Sequence, residues 1–367
     1  MREDGVFRGK SRGLFSACAC HFGSAAAAGI SRRDFLAGGA AAGFLATGFA
    51  APLAAEDKPH RIDVHCHIAP PAWLEAMEII GRKDPVLAGW SVQKLLDDMD
   101  QGGVATAVVS VTTPQLTPLG KDAAVRIARE SNDYAKKLHA DHPGRFGIFA
   151  MLPLPHIDES LAEIAYAFDT LHVDGVGIMT SYRDKWLGDP SFAPVFAELN
   201  RRKAVVYTHP TAANCCVNLL PGVNDSMIEF ATDTARSIGS VIFTGTSQKY
   251  HDISWIWSHG GGSLTAIAER FELQMVKAPE YRDKFNRAIV DGEIDRFFYD
   301  TAQISNAITL DALARLVPVS QIVYGTDFPY RTSVDHSRGV ASHFKGDDLI
   351  KVERDNALRL IPRLRSA

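Results

Sequence analysis

From residue 60 onward, short unbroken apolar runs alternate with longer stretches in which apolar residues return every three or four positions. The short runs are 61–65, 104–111, 146–152, 175–179, 204–208, 253–258, 297–300 and 322–325. Runs this short, without polar alternation, predict parallel strands covered on both faces. Helical periodicity covers 121–141, 158–172, 190–202, 225–239, 263–276, 306–316 and 347–360. Pro143-Gly144 and Gly188-Asp189-Pro190 punctuate the pattern. Eight strands alternating with helices predict an α/β protein, a (β/α)8 TIM-like barrel, over 60–364. An open doubly wound sheet would want a glycine-rich phosphate turn after the first strand. His65-Cys66-His67-Ile68 offers none.

The first 55 residues break this rhythm. Ser31-Arg32-Arg33-Asp34-Phe35-Leu36 is a twin-arginine pattern, followed by a weakly apolar run to Ala51 and small residues at Ala54-Ala55. This resembles a twin-arginine signal peptide, so residues 1–55 are expected to be a leader and the mature protein to be periplasmic or secreted. The run is too short and too rich in Gly and Ala to hold a stable membrane span.

Composition narrows the classes. The chain of 367 residues is 46% hydrophobic and 22% charged, ordinary for an enzyme. Its formal net charge of -4, with no long basic run, argues against a nucleic-acid partner. Outside the leader stand Cys66, Cys215 and Cys216, an odd set with two adjacent members, which does not read as a disulfide framework. Cys66 alternates away from its flanking histidines; Cys215 and Cys216 read as loop lining.

Chemistry gathers at the strand ends. The first strand ends in His65 and His67, whose i, i+2 spacing directs both imidazoles to one face, an arrangement that suits a borderline metal such as zinc. The fifth ends at His209, the sixth at His259 before three glycines, and the eighth at Asp327. In a barrel these ends meet at one mouth, the usual place for catalysis.

The ordered set of the histidine pair, Pro143-Gly144-Arg145-Phe146-Gly147, Leu152-Pro153, Thr208-His209-Pro210, Ser258-His259-Gly260-Gly261-Gly262 and Tyr324-Gly325-Thr326-Asp327-Phe328-Pro329 resembles the amidohydrolase superfamily. It is most similar to the aminocarboxymuconate-semialdehyde decarboxylase branch, and within it to the 6-methylsalicylate decarboxylase type. The resemblance implies one divalent metal, Zn2+ first and Mn2+ second, held by His65, His67, His209 and Asp327. It implies that His259 handles a proton beside the metal. Arg270 would reach into a neighbouring subunit's site to hold a substrate carboxylate, which makes a homodimer the functional unit. One departure is visible: the helix before the second strand, 91–100, lacks the substrate-binding arginine some members carry there, and offers only Lys94.

The implied activity is non-oxidative decarboxylation of a salicylate-type aromatic acid, with Asp327 or His259 protonating the ring carbon that loses CO2. Tyr182, Trp186, Phe328 and Tyr330 are candidates to sandwich the ring or to cap the barrel. The alternative keeps the metal but opens a lactone or amide, with Asp327 as base and His259 polarising the carbonyl. A binding protein without turnover would have little use for both side chains.

Overall fold

The computed structural model describes residues 60–366. The leader expected over residues 1–55 lies outside the described residues. Among the described residues, no helix is long and apolar enough to cross a membrane.

Eight strands form one all-parallel sheet in sequence order: β1 (Arg61–His67), β2 (Val104–Ser110), β3 (Phe146–Met151), β4 (Gly175–Met179), β5 (Val205–His209), β6 (Ser254–Trp257), β7 (Phe298–Asp300) and β8 (Ile322–Val323). The last strand returns to the first. Val64 N–H donates to Tyr324 C=O at 2.9 Å, Asp327 N–H to His65 C=O at 2.8 Å and His67 N–H to Phe328 C=O at 2.8 Å. The sheet therefore closes into the expected barrel.

Strand alternation separates two apolar layers. Ile62, Val64, Val108, Phe149, Val205, Tyr207, Ile256, Phe298 and Val323 fill the barrel interior, and Ala357, Ile361 and Leu364 from the C-terminal segment join the same cluster. Cys66, Val109, Ile148, Val176, Val206, Trp255, Tyr299 and Ile322 belong to the larger cluster between strands and helices. Gly177 has no side chain to add, and a Cβ there would meet Ser110, Phe149 and Tyr207 at 3.4 to 3.6 Å.

β1 is irregular where it matters. Asp63 pairs with Ala107 and Cys66 with Val109, so three steps on β1 match two on β2. The extra residue is a bulge, and it shifts the alternation. Ile62 and Val64 face the interior before it, whereas His65 and His67 join the inner face after it and Cys66 turns outward.

Helix spans follow the sequence pattern with two informative differences. The stretch expected as one helix over 158–172 is α-helical at Ile157–Tyr166 and widens to a π turn at Ala167–Leu171, ending at left-handed His172. The stretch 347–360 likewise carries a π turn at Lys351–Asp355. There the Val352 carbonyl accepts from Tyr324 N–H at 2.9 Å, so the looser turn lets the helix satisfy a strand donor. Helices at Pro71–Ile79, Arg287–Arg296 and Ser333–His343, and a small hairpin of Ser181–Tyr182 with Lys185–Trp186, were not visible in the periodicity.

Candidate metal centre and active site

The strand ends converge as their sequence positions imply. His65 Nε2 lies 3.1 Å from His67 Nε2, and each is 3.1 Å from Asp327 Oδ1. One ligand atom from each of His65, His209, His259 and Asp327 lies within 4.8 Å of the others. His67 touches this set through His65 and Asp327, and its ring centroid is 4.8 Å from that of His209. His259 therefore stands next to the atoms expected to hold the ion, within reach of the same centre.

The outer nitrogen of each inner-face histidine is already engaged. His65 Nδ1 donates to Asp300 Oδ2 at 2.8 Å, His209 Nδ1 donates to the Pro210 carbonyl at 2.9 Å, and Ser110 Oγ lies 3.3 Å from His67 Nδ1. The acceptor-only partners of His65 and His209 assign them the Nδ1–H tautomer and leave each Nε2 lone pair aimed at the shared centre, and the Ser110 hydroxyl can support the same tautomer at His67 by accepting. Three acceptor atoms 3.1 Å apart repel one another unless a cation lies between them. Four N/O ligands around zinc, at about 2.0 to 2.1 Å from the ion, sit about 3.3 Å from one another. The donor set and its spacing therefore fit one divalent ion.

The electrostatics agree. Burial pushes His209 well below the ordinary imidazole value and also lowers His67, so both are neutral, as metal ligands must be. Burial raises the carboxyl of Asp327, but the charge of His65, then the polar contacts of His259, His65 and His67, hold it well below the usual range. Burial also opposes charge on His65, yet Asp300 and Asp327 outweigh it and push that imidazole up to about 10. Without an ion, a proton on His65 supplies the missing positive charge.

Strained backbone presents two of these groups. His259 has φ 53° and Asp327 has φ 67°, a region that non-glycine residues rarely occupy. His259 follows β6 in a short turn, Gly262 closes it with φ 64°, and a Cβ on Gly262 would lie 2.2 Å from the Ala231 carbonyl. Only glycine lets this loop pack on helix Glu229–Phe243 so closely. The His259 N–H donates to Asp300 Oδ1 at 2.8 Å. Its Nε2 is 3.5 Å from Asp327 Oδ2 and has no hydrogen-bond partner among the described residues. A buried imidazole nitrogen without a partner is free to exchange a proton with a ligand.

Three supporting groups escaped the sequence reading. Asp300 joins His65 to the His259 backbone. Its signal was available: it ends β7, as His209 ends β5. Gln303 donates from Nε2 to Asp327 Oδ2 at 2.7 Å, and nothing in its sequence context marks it. Asp63 fills the β1 bulge, accepting from His65 N–H at 2.9 Å and Thr326 Oγ–H at 2.6 Å, while burial pushes its carboxyl up to about 7.

A cavity of about 1030 Å³ opens beside the cluster, walled by Trp73, Met77, Leu87, Arg183, Thr211 and Phe230 among others. The four clustered residues do not line it. It meets them through Phe230, whose ring is 6.2 Å from that of His209, and through Thr211 just beyond His209. Of the aromatic candidates, Tyr182 and Phe328 are buried core, and Trp186 donates to Asp233 Oδ1 at 2.6 Å. Tyr330 alone of these four faces the site, 6.2 Å from the His67 ring, with its hydroxyl on Asp84. Lys94 donates to the Gly89 carbonyl at 2.6 Å and does not line the cavity, whereas Arg183 does. Arg270 is exposed on helix Leu264–Lys277. It makes no ion pair among the described residues, since neighbouring Glu272 pairs with Arg287 at 2.9 Å.

Known proteins share this arrangement of chain. The sequence is 35% identical over 326 residues to the 6-methylsalicylic acid decarboxylase acuB of Aspergillus aculeatus, covering 84% of this chain and 97% of that protein. It is 34% identical over 328 residues to the decarboxylase yanB of Aspergillus niger, covering 83% and 88%. The fold matches a dihydroxybenzoic acid decarboxylase from Polaromonas, solved with manganese and 2-nitroresorcinol, at a TM-score of 0.71 and 20% identity over 84% of this chain and 98% of that one. The amidohydrolase profile matches residues 62–363, nearly the whole described barrel, and the chain belongs to that family.

Proposed function

We propose that this protein is a metal-dependent, non-oxidative decarboxylase of a salicylate-type aromatic acid, a carboxy-lyase with 6-methylsalicylate as the first candidate substrate. The observation that carries the reading is the convergence of His65, His209, His259 and Asp327, with His67 3.1 Å from both His65 and Asp327, at the mouth of a barrel whose sequence relatives are named as decarboxylases. His65, His67, His209 and Asp327 would hold one divalent ion. Three nitrogens and one oxygen suit Zn2+, and the manganese of the Polaromonas protein makes Mn2+ the alternative.

When bound, the ion polarises the substrate's phenolic oxygen and carboxylate. The remaining work falls to side chains. The apolar side chains of Trp73, Met77, Leu87 and Phe230 offer the ring a surface in this cavity. Arg82, Lys83 and Arg183 are the cations on this wall that could stand in for the arginine missing from the helix before β2. His259 delivers a proton from Nε2 to the ring carbon bearing the carboxylate. The bond to the carboxylate then breaks, CO2 leaves, and its electron pair restores the aromatic ring. Asp327, held by Gln303, orients His259 for this transfer.

Arg270, exposed and unpaired, fits a role in a partner subunit's site, so the functional unit is proposed to be a homodimer. The twin-arginine leader is proposed to send the mature chain to the periplasm, which fractionation of cells with and without a Lys-Lys replacement at Arg32-Arg33 would test. The central experiment sets hydroxybenzoates, with CO2 as readout, against lactones and amides, with acid release as readout. CO2 from a 2-hydroxybenzoate supports the reading; turnover confined to the lactone or amide panel overturns it.

A further inference from the structure

The adjacent thiols Cys215 and Cys216 play no part in the chemistry above, yet their placement is specific. They sit in the short turn Asn214–Cys216, five residues beyond His209 at the nearest. Their sulfurs lie 2.7 Å apart, with Cys215 exposed and Cys216 buried. Arg236 Nη1 donates to Cys216 Sγ at 3.3 Å, and no carboxylate pairs with that guanidinium among the described residues. Cys215 N–H is tied to Asp184 Oδ1 at 2.7 Å, and Cys216 N–H to the Ala213 carbonyl at 2.8 Å. The flanking residues Asn214 and Val217 both line the cavity, and Asn214 N–H donates to the carbonyl of Arg183, one of the cations on its wall.

We propose that Cys215 and Cys216 form a reversible thiol–disulfide switch in the turn between two cavity-lining residues, Asn214 and Val217, oxidised by a small-molecule disulfide and acting on substrate affinity. The inference rests on the decarboxylase reading only for the identity of the ligand whose affinity changes. The Cys216 sulfur, then burial and Asp184, push the Cys215 thiol up to about 11, so the first step quickens as pH rises. Cys215, the exposed sulfur, loses its proton and attacks one sulfur of the oxidant, here oxidised glutathione, and one glutathione thiolate leaves. Cys216, beside Arg236, then attacks the Cys215 sulfur and expels the glutathione bound there. The two protons pass from the cysteines to the two released glutathiones. The pair loses two electrons and the oxidant gains them.

Geometry makes this a switch rather than a staple. Consecutive Cα atoms are about 3.8 Å apart across a trans peptide, below the usual disulfide span of about 4.4 to 6.8 Å. A bond closed across neighbours is strained, and strained, exposed disulfides are the easily reduced ones. Closing the ring draws Cys216 Sγ toward Cys215 and away from Arg236. It also fixes the turn that carries Asn214 and Val217.

The test uses the full metal-loaded chain at a series of oxidised to reduced glutathione ratios. Three readouts are taken: the mass of the peptide holding Cys215 and Cys216, hydrogen exchange over 211–217, and salicylate binding by tryptophan fluorescence. The expected result is loss of two hydrogens from that peptide, reversed by excess reduced glutathione. Slower exchange across the turn and a rise in salicylate Kd on the order of threefold accompany it. Cys215→Ser and Cys216→Ser should each bind salicylate like the parent and show no redox response. Cys66, buried on the far side of β1, should stay unmodified. Persistent glutathione adducts without ring closure, or ring closure with unchanged exchange, would overturn the switch. A ring that closes and slows exchange while neither redox state binds salicylate supports the switch and counts against the substrate instead.

Discussion

His65 and Asp300 form a fully buried pair, the imidazole Nδ1 donating to carboxylate Oδ2 over 2.8 Å with neither side chain reaching solvent. The other oxygen of the same carboxylate accepts from the His259 backbone at 2.8 Å. One residue thus sets the tautomer of a proposed metal ligand and the position of the proposed proton donor.

Asp300→Asn should therefore weaken metal binding by roughly 10- to 100-fold, the usual effect of removing a carboxylate behind a ligating histidine. Competition with a coloured chelator measures it. Unchanged affinity would mean that His65 needs no orienting partner.

Removing the metal should abolish turnover, and Zn2+ or Mn2+ should restore it. Because Asp300 and Asp327 hold His65 protonated up to about pH 10 in the ion-free site, loading at pH 7 should release about one proton per site. Uptake followed in weak buffer with a pH indicator reads this directly. Full activity in rigorously chelated protein would reject the metal centre.

His259→Asn should keep much of the metal affinity, because His65, His67, His209 and Asp327 remain, while turnover falls about 10²- to 10⁴-fold. His259 lies close to the same centre, so a modest loss of affinity is expected as well. Metal content and single-turnover rates of the same preparation separate the two effects. A rate within a few-fold of the parent would remove His259 from the proton path.

Arg270→Ala should raise KM for the acid, and it permits a sharper test of the dimer. Alone, neither Arg270→Ala nor His259→Asn makes a complete site. In mixed dimers, one of the two sites regains both groups, so random exchange of subunits should restore about one quarter of parental activity. No recovery in a verified mixed dimer would return Arg270 to the surface of its own chain.

Stability should carry an acid-side signature from His336. Its Nε2 donates to the Thr301 carbonyl at 2.7 Å, Nδ1 has no partner among the described residues, and burial pushes the imidazole down to about 4. Above the unfolded value near 6.5 both states are neutral. Between about 6.5 and 4 only the unfolded chain takes the proton, so stability falls as pH falls through that window, by about 3 kcal/mol in full. Urea midpoints at pH 7 and pH 4.5 should differ less in His336→Asn than in the parent. Equal differences would show that other groups govern the acid limb.

Much of this was legible along the chain. Continuous apolar runs marked all eight strands because parallel strands in a barrel are covered on both faces. His65, His67, His209, His259 and Asp327 stood out because each follows such a run, and strand ends gather at one mouth. Helices Arg287–Arg296 and Ser333–His343 did not stand out, because few of their positions are buried and the rest carry polar residues.

By itself, then, the sequence determined the strand count, the closed α/β architecture and the set of side chains brought to the mouth. Those follow from hydrophobic periodicity, a local property. Tertiary structure alone decided that a bulge at Asp63 carries His65 and His67 onto the inner face. It also decided that Asp300 and Gln303 orient the ligands, and that His259 and Asp327 reach the centre on left-handed backbone. The physical reason is that register and unusual dihedrals are imposed by neighbours more than 200 residues away, such as Asp300 for His65 and Thr326 for Asp63, and no local pattern records them.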